Sequence, residues 1–533
     1  MINRKDKALD QNAANHRLPL LFLFLFFIVS IYMNFSAFVG IYDEGISSYG
    51  SWKVLQGGVP YRDFWTCYGP GQFYALAGLF KVFGVSLITE RLWTQLVTTF
   101  ILIFSYLLLN MSCSRKTSLA GSGVMAFLLL NFSPTAIAGI NPMFPAILFG
   151  MASSYFLLNF FTDGSKRWVF LSGACAAMVA LFRPELGMAI SVLEAVIVAI
   201  QRKFNGLFLY LLSVFIVLFP VVIFLFSRCK PRDLLFDLVI FPLHMYSKMR
   251  AVSFTTYLAI PDHYRSLEAF LIGFSKEIIC FFPVAVLLTA TLLLIGHLCL
   301  RIKDARSTLW HSCVIFTIFG LICFKYSCTR VDFAHFFPVL CISIILLFLL
   351  LSFFLNIKYL RLWFSCLVIF FCLALSLNLF EELKTIEKNT VGVLDIKRAQ
   401  GLPMNPVAFY LQETVKYVQK RVPTGEKIFV GSISHNRVVI NDVLFYFLAD
   451  RGDATKYYEF QPGITTTKEI QQHIIEDLEK AKVRFVILSD HDWWCEPNDS
   501  CHEGAYLLDQ FIRKNFKVVR IIGGYTVLRR DIL

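Results

Sequence analysis

Runs of about 20 apolar residues recur from residue 18 to residue 380, and no other feature of the sequence constrains the fold as strongly. A helix of that length crosses the hydrocarbon core of a bilayer. The composition agrees, because 57% of the residues are hydrophobic and only 16% are charged. The sequence therefore predicts a polytopic α-helical membrane protein. The run at 18–40 lacks a small-x-small cleavage site, which indicates a retained first span.

Short basic clusters separate the apolar runs and predict the topology, since loops rich in Lys and Arg stay on the cytoplasmic side. They stand at the N-terminus and at 114–116, 165–167, 201–203, 301–306 and 358–361. Two crossings fit between consecutive clusters, which predicts about eleven spans at 18–40, 89–112, 118–139, 143–162, 168–182, 186–200, 206–227, 270–300, 308–324, 336–356 and 362–380. Much of the net charge of +13 is this topology signal, because no basic helix or basic aromatic stripe indicates nucleic acid.

The chain loses its apolar character after residue 380, and this change predicts a second domain. We assign residues 1–380 to a transmembrane domain with a first external loop at 41–88, and residues 381–533 to a soluble α/β domain. The patterns in the second domain predict strands at 427–433 and 483–490, helices at 468–481 and 504–516, and a hairpin turning at Gly523-Gly524. An odd number of spans and a cytoplasmic N-terminus place this domain outside the cytoplasm.

Two of the fourteen cysteines, Cys495 and Cys501, lie close together in a polar segment. They can form a disulfide if the segment is in an oxidising compartment. The same segment carries Asp490, His491, Asp492 and His502, but their spacing matches no strong zinc pattern. The sequence therefore favours an exposed loop over a metal centre.

Ionisable residues of the membrane region collect on the predicted external face. They are Asp43, Glu44, Arg62, Asp63, Arg183, Glu185, Lys325, Arg330, Asp332 and His335. Ionisable groups at a membrane edge are costly unless they face water, a partner or a site. Their collection on one face therefore suggests a shared cavity.

The segment YDEGISSYGSWKVLQGGVPYRDFWTCYGPGQFYALAGLFKVFG, residues 42–84, resembles the first external loop of the GT-C integral-membrane glycosyltransferases. More narrowly it is similar to the branch of protein O-mannosyltransferases and lipid A aminoarabinose transferases, and the RPE at 183–185 is also similar to an element of bacterial members. The resemblance implies transfer of a sugar from a polyprenyl-phosphate donor to a lipid, glycan or protein acceptor at the external membrane face. It also implies that Asp43 is the catalytic carboxylate.

The implied chemistry explains the need for these residues. Asp43 would take a proton from the acceptor hydroxyl during direct inverting attack on the anomeric carbon, and Glu44 would orient Asp43 or raise its pKa. External cations would stabilise the departing phosphate, with Arg330 and His335 preferred, then Arg183. Arg62, Asp63 and Lys325 complete the set of candidate substrate and phosphate contacts. Many relatives carry Lys-Pro-Pro in this loop where this sequence has Gly69-Pro70-Gly71, so that lysine contact is missing.

Structural interpretations of the same residues stay open. Asp43 and Glu44 can form a solvated helix terminus, and Arg183 with Glu185 or Arg330 with Asp332 can form local ion pairs. His335 can be a packed interfacial histidine. No cofactor is required by the pattern, although a divalent cation can join through ligands other than an Asp-x-Asp pair.

Three functions fit the sequence to different degrees. The first is the polyprenyl-phosphate-sugar transferase, set in a bacterial inner membrane with its active site and C-terminal domain in the periplasm. The second is a transporter or lipid-linked glycan flippase, which is weakened because no internal repeat is visible and the charges avoid the membrane midplane. The third is an O-antigen ligase or polymerase, which the Asp43-Glu44 pattern disfavours.

Overall fold

The structure is a computed structural model. The structure describes residues 4–133, 141–201, 203–254, 266–299, 308–354, 357–490, 496 and 498–530. The basic cluster at 301–306 and the predicted span ends at 139, 300 and 356 lie outside the described residues.

Each of the eleven predicted spans lies on a helix in the described residues, and the fold class is confirmed. In chain order the helices up to residue 389 are α1 (Arg4–Phe35), α2 (Asp43–Leu55), α3 (Pro70–Phe83), α4 (Leu87–Ser112), α5 (Arg115–Phe132), α6 (Met143–Asp163), α7 (Lys166–Phe182), α8 (Pro184–Ile200), α9 (Phe204–Arg228), α10 (Pro231–Leu235), a π-helix (Phe236–Met245), α11 (Tyr246–Met249), α12 (Leu267–Cys299), α13 (Thr308–Ser327), α14 (Phe333–Phe353) and α15 (Lys358–Asn389). Among the described helices up to residue 389, five fall outside the predicted spans: α2 and α3 lie in the 41–88 loop, and α10, the π-helix and α11 follow the span at 206–227.

Eight helices in the described residues are long and apolar enough to cross a membrane by themselves: α1, α4, α6, α9, α12, α13, α14 and α15. The other three predicted spans, α5, α7 and α8, are helices of 18, 17 and 17 residues. α7 packs against α6, α8 and α9, so these short helices belong to the same bundle. The protein is therefore an integral membrane protein built around one helical core.

A small α/β unit follows α15. It contains β1 (Gly392–Val393), β2 (Pro403–Met404), α16 (Pro406–Arg421), β3 (Phe429–Ser432), α17 (Leu444–Ala449), α18 (Lys468–Lys480), β4 (Phe485–Ser489), α19 (Leu507–Asn515), β5 (Lys517–Ile522) and β6 (Tyr525–Arg529). The four-stranded sheet has the order β3-β4-β6-β5, with β3 parallel to β4 and the other pairs antiparallel. The predicted strands, helices and hairpin of this region are confirmed. The domain boundary at residue 380 stays a prediction.

The first loop is held against the membrane helices by its Gly-Pro-Gly segment. Pro70 is the first residue of α3, and Gly69 precedes it in extended conformation. A Cβ atom on Gly69 would lie 2.3 Å from the Leu181 carbonyl oxygen, and one on Gly71 would lie 2.9 Å from the same atom. Only glycine fits there without movement of the backbone. Gly69 and Gly71 therefore have a packing role, because α3 docks directly on the end of α7.

The same loop shares a hydrophobic core with the C-terminal unit. Tyr49 of α2 stacks on Tyr446 of α17, with ring centroids 5.1 Å apart. The Leu444 N–H donates a hydrogen bond to the Ile41 carbonyl oxygen at 2.9 Å. Buried residues of α2, α3, α16, α17 and β3 form one continuous cluster. The C-terminal unit therefore packs directly on the loop that carries Asp43.

Gly45→Ala tests how tightly α2 packs on α17. A Cβ atom on Gly45 would lie 2.3 Å from the Leu444 backbone nitrogen, so the two helices must separate. We expect a loss of about 1–3 kcal/mol in the free energy of unfolding, the usual effect of overpacking. Gly78→Ala in α3 is the matched control, because a Cβ there meets no atom within 4 Å. Equal melting temperatures for the two variants would contradict the close packing.

Candidate active site

Asp43 is the first residue of α2, and its carboxylate lies half-buried at the N-terminal end of that helix. The Tyr68 hydroxyl donates a hydrogen bond to Asp43 Oδ1 at 3.4 Å. Burial raises the pKa of Asp43, and the nearby charges of His335 and Arg250 act in the opposite direction. A carboxylate with a raised pKa is a stronger proton acceptor than an ordinary surface Asp. Asp43 therefore has surroundings that suit a general base.

Glu44 is fully buried and has partners of its own. Its Oε1 forms an ion pair with Arg91 Nε at 3.4 Å, and its Oε2 accepts a hydrogen bond from the Gly40 N–H at 2.7 Å. Arg91 also donates to the Asn34 carbonyl oxygen at 2.8 Å. Glu44 therefore fixes the start of α2 to α1 and α4. Any help that it gives to Asp43 acts through the position of the helix.

Residues 330–335 present three charged groups as one hydrogen-bonded unit. Asp332 caps α14 by accepting from the His335 N–H at 2.9 Å, and the same carboxylate bonds His335 Nδ1 at 2.8 Å and Arg330 Nε at 2.9 Å. Burial raises the pKa of Asp332, but His335 and Arg330 outweigh it and hold that pKa well below its usual range. His335 Nε2 has no hydrogen-bond partner within the described residues. This imidazole is thus oriented by Asp332 and has one nitrogen left for a ligand.

Arg250 and Glu496 belong to the same group, and the sequence analysis missed both. Arg250 follows α11 and is 8% exposed. Its guanidinium pairs with Glu496 at 3.1 Å, and Arg330 pairs with the same carboxylate at 2.8 Å. Burial raises the pKa of Glu496, but Arg330 and Arg250 outweigh it and lower that pKa to about 2. Arg250 is one of four arginines between residues 228 and 267, and nothing in the local sequence distinguishes it from the others.

Arg183 adjoins this group on the α7–α8 turn. Its Nη2 forms an ion pair with Glu185 at 2.6 Å, which is the local pair that the sequence left open. Its guanidinium also lies over the Tyr326 ring, 4.8 Å from the centroid, and the centroids of Tyr326 and His335 are 6.1 Å apart. Arg183 is therefore connected to the Asp43 surroundings through Tyr326.

Three of the predicted contacts lie elsewhere. Arg62 and Asp63 pair with each other at 2.6 Å, and both side chains are more than a third exposed. Lys325 is exposed in the last turn of α13 and forms no ion pair within the described part of the chain. No hydrogen bond or ion pair among the described residues joins these three residues to Asp43.

Glu459 contributes a second buried carboxylate from the C-terminal unit. The residue is fully buried, and burial raises its pKa well above the usual range, with the charge of Asp43 acting in the same direction. Tyr42 lies between the two regions, since its hydroxyl donates to the Phe460 carbonyl oxygen at 2.7 Å and accepts from Gln461 Nε2 at 2.6 Å. The C-terminal unit therefore forms part of the immediate surroundings of Asp43.

Metal binding and the pairing of Cys501 with Cys495 stay predictions. The described residues contain no group of three or more His, Cys, Asp or Glu residues placed to hold a metal ion. Cys501 is disulfide-bonded, whereas Cys495, His491 and Asp492 lie outside the described residues.

A bundle of membrane helices with a helical first loop packed on a C-terminal α/β unit is the GT-C fold, and this chain has it. ArnT from Cupriavidus metallidurans in the apo state aligns with a TM-score of 0.57 and 13% identity, covering 97% of this chain and 98% of that one. ArnT bound to undecaprenyl phosphate aligns with a TM-score of 0.55 and 13% identity, covering 96% and 97%.

Archaeal oligosaccharyltransferase AglB from Archaeoglobus fulgidus, in complex with an inhibitory peptide and a dolichol-phosphate, aligns with a TM-score of 0.48 and 13% identity, covering 88% of this chain and 69% of that one. No family model and no curated protein matches the sequence. At 13% identity the likeness to ArnT establishes the fold and leaves the reaction to be argued from the site.

Proposed function

We propose that the protein transfers a sugar from a polyprenyl-phosphate donor to an acceptor at the external face of the membrane. The observation that carries the proposal is the position of Asp43, a half-buried carboxylate at the start of α2 that accepts a hydrogen bond from Tyr68 and whose pKa is raised by burial and lowered by the charges of His335 and Arg250. Such a displacement requires a base beside cationic groups. The base takes the proton of the acceptor hydroxyl, and the cationic groups stabilise the departing phosphate. The shared fold with ArnT, solved with undecaprenyl phosphate bound, supports a lipid-phosphate ligand.

In the proposed reaction Asp43 accepts the proton of the acceptor hydroxyl while the hydroxyl oxygen attacks the anomeric carbon. The bond between that carbon and the phosphate oxygen breaks, the anomeric centre inverts, and the electron pair leaves with the phosphate. Arg330, Arg250 and His335 then stabilise the new negative charge. Donor and acceptor meet in the periplasm of a bacterial cell, and the transferred group is a hexose or a pentose.

Mass spectrometry of lipids that copurify with the Asp43→Asn variant tests the proposal. Without the base, the donor should stay bound and unconsumed, so a polyprenyl-phosphate monosaccharide should be enriched over wild type and would identify the sugar. A lipid-linked oligosaccharide would favour a ligase or flippase instead. Absence of any polyprenyl phosphate from both proteins would contradict the proposal.

A further inference from the structure

The Glu496 carboxylate is held between two arginine forks. Arg330 Nη1 and Nη2 donate to Oε2 and Oε1 at 2.8 Å each. Arg250 Nε and Nη2 donate to the same two oxygens at 3.1 and 3.3 Å. Asn498 Nδ2 adds a bond to Oε2 at 3.0 Å. Two guanidinium groups thus converge on one small anion, which is an arrangement that recognises planar or tetrahedral oxyanions alike.

Hydrogen bonds to residues other than Glu496 hold Arg250 and Arg330 in place. Arg330 Nη1 donates to the Arg250 carbonyl oxygen at 2.9 Å, so the two segments that carry the forks are fixed to each other. Arg250 Nη1 also bonds the Gln461 Oε1 and the Val439 carbonyl oxygen of the C-terminal unit, at 3.3 Å each. The forks therefore keep their positions whether or not Glu496 lies between them.

The pair also adjoins the proposed base. Arg330 bonds Asp332, Asp332 bonds His335, and both His335 and Arg250 act on the Asp43 charge. An oxyanion held by Arg250 and Arg330 would therefore lie within the same charged group as Asp43. In the free protein that oxyanion is Glu496.

We propose that Glu496 is an internal ligand of the Arg250–Arg330 pair and that the phosphate of the lipid carrier displaces it. The proposal rests on the proposed function and adds a residue that sets the affinity for the carrier. Two close arginines without an anion would be unstable, and the carboxylate neutralises them until the phosphate arrives. The donor is a phosphodiester and carries one negative charge, as the carboxylate does. The exchange becomes most favourable once the sugar has left, because the released polyprenyl phosphate carries about −1.5 to −2 charges.

Displacement can proceed by rotation of the Glu496 side chain. The Glu496 backbone N–H is bonded to Ser500 Oγ at 2.9 Å, which holds the main chain in place. The alternative role is a permanent cross-link between the C-terminal unit and the membrane domain. The two roles predict opposite effects of removing the Glu496 charge on carrier binding.

Titration of detergent-solubilised protein with undecaprenyl phosphate distinguishes a displaceable Glu496 from a permanent cross-link. We expect Glu496→Gln to bind about tenfold more tightly than wild type or better, because one competing charged interaction is lost. Glu503→Gln is the matched control, since Glu503 lies in the same segment, pairs with Arg437 and is exposed; its affinity should equal that of wild type. Unchanged or weaker binding by Glu496→Gln would overturn the displacement. Failure of wild type itself to bind would instead contradict the proposed function.

A melting experiment covers the case in which the Glu496→Gln variant folds less well. Without lipid, this variant should melt at a lower temperature than wild type, because its arginine pair lacks the anion. At saturating undecaprenyl phosphate the difference should disappear, since Glu496 no longer contacts the arginines in either protein. A difference of the same size with and without lipid would make Glu496 a cross-link and overturn the proposal.

Discussion

Asp43→Asn should lower the turnover number for sugar transfer by about 10²–10⁴-fold, the usual contribution of a positioned general base. Asn has nearly the shape of Asp but cannot accept the proton of an acceptor hydroxyl. The Tyr68 hydroxyl, 3.4 Å from Asp43 Oδ1, can still donate to the amide oxygen, so the local structure should survive. The measurement is transfer from a purified polyprenyl-phosphate sugar at saturating donor.

The pH dependence gives an independent check on Asp43. Because burial raises the pKa of Asp43, the wild-type rate should fall on acidification at a pH above the ordinary titration range of Asp. The residual rate of the Asn variant should lack this acidic limb. Asp395→Asn, the same change at an exposed residue, is the control and should behave like wild type. Turnover of the Asp43 variant within about tenfold of wild type would remove Asp43 from its role.

The Asp43→Asn variant should lose activity without losing stability. Because the folded pKa lies above the unfolded value, any stabilisation from protonated Asp43 is lost as the pH rises through the folded pKa. At neutral pH the buried carboxylate therefore opposes folding. The Asn variant should melt no lower than wild type, which distinguishes lost chemistry from lost structure.

Local patterns in the sequence predicted much of the fold correctly. Apolar runs of span length fall on helices in the same order. The hairpin predicted at Gly523-Gly524 is present, because these residues connect the antiparallel strands β5 and β6. The local ion pairs that were left open are also present, as Arg183 with Glu185 and Arg330 with Asp332. Such features depend on residues a few positions apart, which periodicity and spacing can report.

The site depends on pairs that no spacing rule reports. Arg250 meets Glu496 across 246 positions, and Arg91 meets Glu44 across 47. Nothing around Arg250 indicates its partner, so it has the appearance of an ordinary loop arginine. For Glu44 the sequence does suggest a partner, because Asp43 is adjacent to it. In the structure Glu44 pairs with Arg91 of α4. The sequence identifies the loop of the base, and tertiary packing decides which charges surround it.

The contact between the first loop and the C-terminal unit was not predicted from the sequence either. The sequence predicts a domain boundary at residue 380 and gives no sign of contacts across it. The structure instead packs α2 and α3 into a core with α16 and α17. Deleting residues 390–533 would therefore expose the loop that carries Asp43, and loss of activity in such a truncation would not isolate an acceptor-binding role.

Asp453→Asn should destabilise the protein by about 3–5 kcal/mol, because it breaks a buried ion pair across this junction. Lys53 Nζ of α2 lies 2.6 Å from Asp453 Oδ2, and the two side chains are 14% and 7% exposed. The Tyr49 hydroxyl donates to Asp453 Oδ1 at 2.7 Å, so one carboxylate anchors two residues of α2. The Asn variant leaves the Lys53 ammonium buried beside a neutral amide. Sugar transfer should fall as well, since α2 begins with Asp43.

Asp395→Asn again supplies the control, because Asp395 pairs with Lys416 at an exposed site where an ion pair contributes about 0–1 kcal/mol. A double variant, Lys53→Met with Asp453→Asn, should recover part of the stability by removing the unpaired charge. Denaturant unfolding of the four proteins measures these differences. If Asp453→Asn lost no more stability than Asp395→Asn, the apolar packing and the remaining hydrogen bonds would hold α2 to the C-terminal unit without the ion pair. In that case its effect on transfer should disappear too, since the position of Asp43 would not depend on the ion pair.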